Sequence, residues 1–226
     1  MNRRDVLKAL GTGALVIGFD RATGGWVTAS AATGGGSFDD VPALDGVLLL
    51  DHVSRGADAT DQGNIVYRAP AAVLQPGSVA DISAMVRFCG RRGIKVSRRG
   101  EAHTTNGQSL SPGLVVEHGS LERIHSITPS GAVVDAGVLW RDLITAAYPV
   151  GLTPPAITGY TKLSVGGTLS VGGVPGIAGS TRSGCQIDRV QALEVVTGTG
   201  DIVECSLEVN RDLFEAMLGG LGQCGS

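Results

Sequence analysis

Arg99-Gly100-Glu101-Ala102-His103-Thr104-Thr105-Asn106-Gly107-Gln108 is the stretch whose reading decides the fold. It is a run of small, mostly polar residues carrying one histidine. Strand-like runs lie on either side, Ile94-Lys95-Val96-Ser97 before it and Gly113-Leu114-Val115-Val116-Glu117 after it. A loop of this make-up at the end of a strand can bring backbone N–H groups close to an anionic ligand. The plainer alternative is a loop histidine that meets only solvent.

Upstream, Ala69 to Gln75 reads as a strand ended by the turn Pro76-Gly77. Ser78 then offers an N-cap with Asp81 in the first turn. Ile82, Met85, Val86 and Cys89 follow at the spacing of one helix face, and Gly90 and Gly93 close it. Downstream, Pro129-Ser130-Gly131 is a turn and Ala132 to Ala136 a strand. Trp140, Leu143, Ile144 and Ala147 mark a second amphipathic helix. Two strand-helix-strand passes around the histidine loop point to mixed α/β or α+β architecture. The short apolar runs at 41–51 and 63–67 are compatible with strands or a helix. His52, His118 and His125 have no catalytic partner in the neighbouring sequence.

A second glycine concentration runs from Ser164 through Gly166-Gly167-Thr168, Ser170 and Gly172-Gly173-Val174 to Gly176. It holds too many glycines for a stable helix and too little polarity for a linker. The expectation is an ordered, non-helical loop offering backbone amides and small hydroxyls, with a glycine turn packed on a strand as the alternative. Beyond it, 191–197 and 201–205 read as a hairpin turned by Gly198-Thr199-Gly200. Asn210 can cap a last helix carrying Leu213, Phe214, Met217 and Leu218.

The chain has 226 residues, 42% hydrophobic and 17% charged, with a net charge of -3. That suits a globular protein with a real core, and nothing in it favours a nucleic-acid partner. Its 35 glycines are about twice the usual share. Cys89, Cys185, Cys205 and Cys224 lack CxxC spacing; export would permit disulfides, which spacing does not establish, and most of the four read as buried thiols. No metal-ligand cluster, GxSxG elbow or P-loop lysine occurs. Gly220-x-Gly222-x-x-Gly225 matches a dinucleotide pattern in letters only, because a helix precedes it where a strand is required.

At the N-terminus, Arg3-Arg4 with Leu7 and Lys8 precede a short apolar run, Ala9 to Phe19, and then the small residues Ala29-Ser30-Ala31-Ala32. Residues 1–32 thus read as a twin-arginine-type export signal, and the apolar run is too short to span a bilayer. Asn2 and Val6 depart from that signal's preferences, and an ordinary secretory signal or a retained anchor are the alternatives. Residues 33–65 read as linker and lead-in, with 33–40 disordered at the start of the mature chain. Export in the folded state would suit a protein that takes up its cofactor first. The residues alone carry the reading as far as an exported α/β domain that binds a phosphate-bearing cofactor.

The run 99–108 and Gly113 to Leu121 belong to a larger pattern. With them come Gly151-Leu-Thr-Pro-Pro, Val165-Gly-Gly-Thr-Leu-Ser170, Val195-Val-Thr-Gly-Thr-Gly-Asp201 and Leu218-Gly-Gly-Leu-Gly-Gln-Cys-Gly225. In this order they resemble the FAD-binding domain of the vanillyl-alcohol-oxidase (PCMH-type) family, with cytokinin dehydrogenases closest. The resemblance covers 66–226. It implies an α+β domain of two subdomains with FAD between them. The cofactor contacts it implies are Gly100, Glu101, Ala102, His103, Thr104 and Gln108 on one side and Ser164, Gly167, Thr168, Ser170 and Val174 on the other. His103 falls where many members bond covalently to the 8α-carbon of the flavin.

The implied activity is removal of a hydride from an alcohol or amine carbon of a small substrate, with electrons passed to oxygen or another acceptor. A flavin-binding domain without independent turnover and a sugar or lactone oxidase are the alternatives. Catalytic residues are not identified. The family's RGxGHS reads Arg-Gly-Glu-Ala-His-Thr here, which is tolerable if Ala102 does not need a positive φ. Bicovalent relatives carry a cysteine near the position of Tyr160, so a second flavin bond is not expected. The catalytic aspartate of cytokinin dehydrogenases aligns with Gly159, which argues against cytokinin as substrate. The family's C-terminal substrate domain has no counterpart after the Leu218 run, so the chain reads as truncated.

Overall fold

The computed structural model describes residues 15–20, 25–30, 37–176 and 184–226. Strands β1 (Leu15–Asp20) and β2 (Gly25–Ser30) pair as an antiparallel hairpin in a sheet of their own. Apart from these strands, the expected export signal lies outside the described residues.

The first body is a four-stranded sheet. Strand β3 (Val47–Leu49) runs antiparallel to β4 (Ala72–Gln75), while β4 and β5 (Val96–Arg99) flank β6 (Leu114–Glu117), both parallel to it. Leu114, Val115 and Val116 are each 1% exposed or less, because both faces of a parallel strand are covered and no polar alternation is needed. The six-residue helix α1 (His52–Ala57) is capped by Asp51, whose side chain accepts from the amides of Val53 and Ser54.

Helix α2 (Val79–Arg92) starts as the sequence predicts, with Ser78 Oγ accepting from the amide of Asp81. It runs through Gly90 and ends at Gly93, whose φ of 65° makes the left-handed cap. Its inner face sets Ile82, Met85, Phe88 and Cys89 against Ala72, Leu74, Leu114 and Val116. Burying such side chains contributes about 1.5–3 kcal/mol each.

The residues expected to be disordered at 37–40 are packed instead. Phe38 stacks on Phe88 with centroids 6.1 Å apart, and the Arg92 guanidinium lies 3.9 Å over the Phe88 ring. Asp81 fastens the rest of the lead-in, accepting from the amides of Asp45, Gly46 and Gly77. One aromatic side chain and one buried carboxylate therefore outweigh the glycine-rich composition just before them.

The second body begins with the hairpin of β7 (Ile124–Thr128) and β8 (Gly131–Val134). Helix α3 (Trp140–Ala147), the short helix α4 (Val165–Ser170), the hairpin β9 (Ala192–Val196) and β10 (Ile202–Ser206), and helix α5 (Arg211–Met217) complete it. Val138, Trp140, Leu143, Leu169, Val203, Leu213 and Phe214 share its core. Strand β9 belongs to both bodies: Val195 packs in this core and Val196 in the first, as strand alternation dictates. Its turn docks on α2, where Ser83 Oγ donates to the Gly200 carbonyl (2.6 Å) and Arg87 pairs with Asp201 (3.0 Å). The outcome is an α+β domain of two subdomains.

Two local expectations are corrected. Val165–Ser170 is helical, because the apolar Val165 and Leu169 fall on one face of a single turn buried in the second core. Asn210 lies at the start of α5 but does not cap it; its φ is 48° and its side-chain amide donates to the carbonyl of Glu204 (2.8 Å). All four cysteines are free thiols, and burial pushes Cys89 up to about 12 and Cys205 up to about 11. Among the described residues, no helix is long and apolar enough to cross a membrane, and no cluster of three metal-ligating side chains occurs.

Candidate functional site

The histidine loop leaves the carboxyl end of β5, where ligands of open parallel sheets commonly bind. A cavity of about 530 Å³ opens there, bordered by Gln75, Arg99, Gly100, Glu101, Glu117 and Ser120. The loop is held from below by the segment 57–63. Arg99 pairs with Asp58 (3.0 Å) and donates to the carbonyls of Thr60 (2.8 Å) and Ala57 (3.5 Å). Asp61, 4% exposed, accepts from Thr104 Oγ1 (2.8 Å), the Gly107 amide (2.8 Å) and the Gly63 amide (3.2 Å). Burial works against its charge, yet these hydrogen bonds hold the carboxyl below its ordinary range.

The amides of Gln62 and Gly63 donate to the carbonyls of Ala102 (2.9 Å) and Thr104 (3.3 Å). Those bonds occupy the acceptors of the loop and leave its donors. Among the described residues, the N–H groups of Gly100, Glu101, Ala102, His103 and Thr104 have no hydrogen-bond partner. Gly100, Glu101 and Ala102 line the cavity, and successive unpaired amides of this kind are a donor set suited to a phosphate-bearing ligand. Ala102 has a φ of 53°, so the condition under which alanine would replace glycine without cost is not met. An alanine in this region carries strain of about 1–2 kcal/mol.

The two glycine-rich stretches meet. A Cβ built on Gly100 would lie 2.2 Å from Ser164 Oγ, and one on Gly167 2.8 Å from the same atom. The close approach therefore requires glycine at position 100. A Cβ on Gly166 would lie 2.8 Å from that of Ala136, which seats the first turn of α4 on the second body.

The hydroxyls of this second stretch are mostly committed. Thr168 Oγ1 accepts from Trp140 Nε1 (2.7 Å) and donates to the Val165 carbonyl (3.0 Å). Ser170 Oγ donates to the Gly166 carbonyl (2.8 Å). Ser164 is 2% exposed at the helix start, Gly167 is exposed beside it, and Val174 is 69% exposed farther along. Gln108 is exposed, with its side-chain oxygen accepting from the Asn106 amide (2.9 Å).

His103 is exposed, and its Nδ1 lies 2.9 Å from the Glu101 carbonyl. A carbonyl can only accept, so Nδ1 carries the proton and Nε2 keeps its lone pair. The Tyr160 ring packs on the imidazole, with centroids 5.0 Å apart and planes tilted by 35°. A Cβ on Gly159, next to it, would meet nothing within 4 Å among the described residues.

Asp58 and Asp61 are the supports that sequence reading passed over, because 33–65 reads as lead-in. Two aspartates three residues apart just before Gly63 were the available signal. Asp58 is 3% exposed, and its Oδ2 has no partner among the described residues that could donate to it. Burial, with the charge and side-chain hydrogen bond of Glu117, pushes its carboxyl up to about 6 against the pull of Arg99. His118 is held neutral, its pKa lowered to about 4 by burial and by the charge of Arg98. Its Nε2 meets Ser226 Oγ at 2.9 Å. His125 pairs with Asp135 (2.7 Å) at the surface.

Comparison with known proteins agrees with this geometry. The family described as "FAD binding domain" matches residues 70–206. An uncharacterized oxidoreductase of the fasciation locus of Rhodococcoides fascians is 39% identical over 183 residues, 80% of this chain and 41% of that protein. Cytokinin dehydrogenase 1 of Oryza sativa subsp. japonica is 44% identical over 194 residues, 81% of this chain and 36% of that protein. The crystal structure of 6-hydroxy-D-nicotine oxidase from Arthrobacter nicotinovorans superposes with a TM-score of 0.71 at 26% identity, over 80% of this chain and 40% of that one. The chain thus spans about two fifths of the length of these relatives. Taken with the paired glycine-rich stretches and the row of free amides, these matches make the chain a member of the FAD-binding domain family.

Proposed function

We propose that this chain is the cofactor-holding part of an exported FAD-dependent oxidoreductase that removes a hydride from an alcohol or amine carbon of a small molecule. The observation that carries the reading is the row of N–H groups from Gly100 to Thr104 without a partner among the described residues, on a loop that comes close to Ser164 at Gly100. These groups would hold the pyrophosphate, and Gly100, which has no Cβ, keeps the approach to Ser164 narrow. Bound FAD would supply the hydride acceptor and pass electrons on to oxygen or another acceptor.

His103 is the proposed covalent anchor. Its tautomer leaves a lone pair on Nε2 for bonding to the 8α-methyl carbon of the flavin. Bound flavin would supply the carbon for that bond, and the two protons and two electrons lost from its C–H and the imidazole N–H would leave with dioxygen as hydrogen peroxide. Gly159 provides no acid or base to a substrate, which argues against cytokinin although several relatives carry that name. The share of the relatives' length that is spanned favours a second reading, in which this chain holds flavin and turnover needs contacts outside it.

The test is the absorption and fluorescence of the purified chain before and after denaturation. A flavin band that stays with the denatured polypeptide and disappears in His103→Ala is the expected result. Flavin released on denaturation removes the covalent anchor, and absence of flavin from the folded chain removes the whole reading. Fusion of the first 32 residues to a reporter that must fold before export tests the twin-arginine route, with Arg3→Lys, Arg4→Lys as the blocking variant.

A further inference from the structure

We infer that Tyr160 is a positioning residue for His103, holding the imidazole in one orientation towards the cofactor; this rests on the flavin site proposed above. An exposed histidine on a loop ordinarily samples several rotamers. Here two contacts from different parts of the chain restrict it. The Nδ1–H bond to the Glu101 carbonyl fixes the tautomer and one edge of the ring, and the Tyr160 ring covers a face at 5.0 Å.

Tyr160 can serve as a support because its own backbone is held. Its carbonyl accepts from Thr158 Oγ1 (2.9 Å), and the carbonyl of Thr161 accepts from the Arg141 amide (2.8 Å). The Leu163 carbonyl accepts from the Trp140 amide (3.0 Å), and Ser164 bridges to Leu139. The ring is thus anchored to the start of α3 in the second body, while the histidine rides on the loop of the first. This contact couples the two bodies at the point where the flavin ring would lie. A Cβ on the neighbouring Gly159 would meet nothing within 4 Å among the described residues.

The tilted ring contact does this work and the phenol hydroxyl does not, so phenylalanine should replace tyrosine and alanine should not. Aromatic pairs in such geometry shift an equilibrium by about two- to tenfold.

The test has two readouts on the whole chain. In NMR spectra of the flavin-free protein, the carbon-bound ring protons of His103 should show a ring-current shift that Tyr160→Phe keeps and Tyr160→Ala loses, with the remaining amide spectrum unchanged. On incubation with FAD and dioxygen, the rate of covalent incorporation should fall about three- to tenfold in Tyr160→Ala and stay near wild type in Tyr160→Phe, while initial non-covalent FAD binding is the same in all three. A His103 spectrum indifferent to Tyr160→Ala, or a Phe variant that behaves like the Ala variant, overturns the inference. If the wild type incorporates no covalent flavin, the anchor reading fails separately, and the NMR comparison still decides whether Tyr160 orients the ring.

Discussion

The stretches 99–108 and 164–176 look alike in sequence, both glycine-rich and studded with small hydroxyl residues, yet they solve opposite problems. In the first, the carbonyls of Ala102 and Thr104 and the Thr104 hydroxyl are tied to residues 61–63 beneath, and the amides of 100–104 have no partner among the described residues. In the second, the amides of Val165 and Gly166 donate to the carbonyls of Val138 and Ala136 (2.8 Å each), and the hydroxyls of Thr168 and Ser170 close on their own helix or on Trp140. One stretch spends its acceptors and keeps its donors; the other is consumed by packing and serves as a wall. Glycine content alone therefore does not mark a phosphate cradle. What marks it is where the hydrogen bonds go.

The contact between the two stretches gives the largest expected effect on FAD binding. Gly100→Ala places a Cβ against Ser164 Oγ, so FAD affinity should fall at least about tenfold, the cost of roughly 1.4 kcal/mol. Ser164→Ala removes that oxygen and leaves its Cβ at 3.4 Å, an ordinary contact, so the double variant should regain most of the loss. Failure of the rescue would mean that the stretches do not meet as described.

Next is Asp61→Ala, which strips the loop of the acceptor for Thr104, Gly107 and Gly63. It should cost about 2–3 kcal/mol in urea unfolding and weaken FAD with it. Trp140→Phe, which removes the donor to Thr168 in the wall, should cost about 1 kcal/mol of stability while FAD affinity changes less than twofold. That asymmetry would break down if the second stretch were itself the cradle. Ala102→Gly should stabilise the protein by about 0.5–1 kcal/mol, because glycine accepts the left-handed conformation without strain.

The last expected effect concerns pH, where two contributions oppose each other. Asp58 has a carboxyl raised from 3.8 to about 6, so its share of stability is full below about 4 and is lost as pH rises through about 6. His118, lowered from 6.5 to about 4, contributes a share that is full above 6.5 and is lost as pH falls towards 4. The two slopes oppose each other in one window and flatten the profile. Denaturant titrations of Asp58→Asn from pH 7 to 4 should therefore show stability falling more steeply on acidification than in wild type.

Much of the first body was legible. The apolar spacing of Ile82, Met85 and Cys89, the Ser78 cap and the continuous run 114–116 are local signals, and all three appear where periodicity puts them. The hairpin over 192–206 was equally local. What escaped was non-local. Whether Val165–Ser170 forms a turn of helix depends on the core waiting for Val165 and Leu169, and whether 37–40 is ordered depends on Phe88 fifty residues away. Ala102 shows the same limit, since its φ is set by the bonds that residues 62 and 63 draw from the loop. The resemblance pointed to the histidine loop and to the stretch from Ser164 as cofactor contacts, but not to Asp58 and Asp61, which hold the loop from a segment outside the resembling part.

The central claim is that the amides of 100–104 hold a pyrophosphate. Calorimetric titration of the flavin-free chain with FAD and with riboflavin tests it most directly. The account predicts that FAD binds at least about tenfold more tightly than riboflavin, with that advantage removed by Gly100→Ala and restored by the Ser164→Ala double variant. Equal affinity for the two ligands would contradict it.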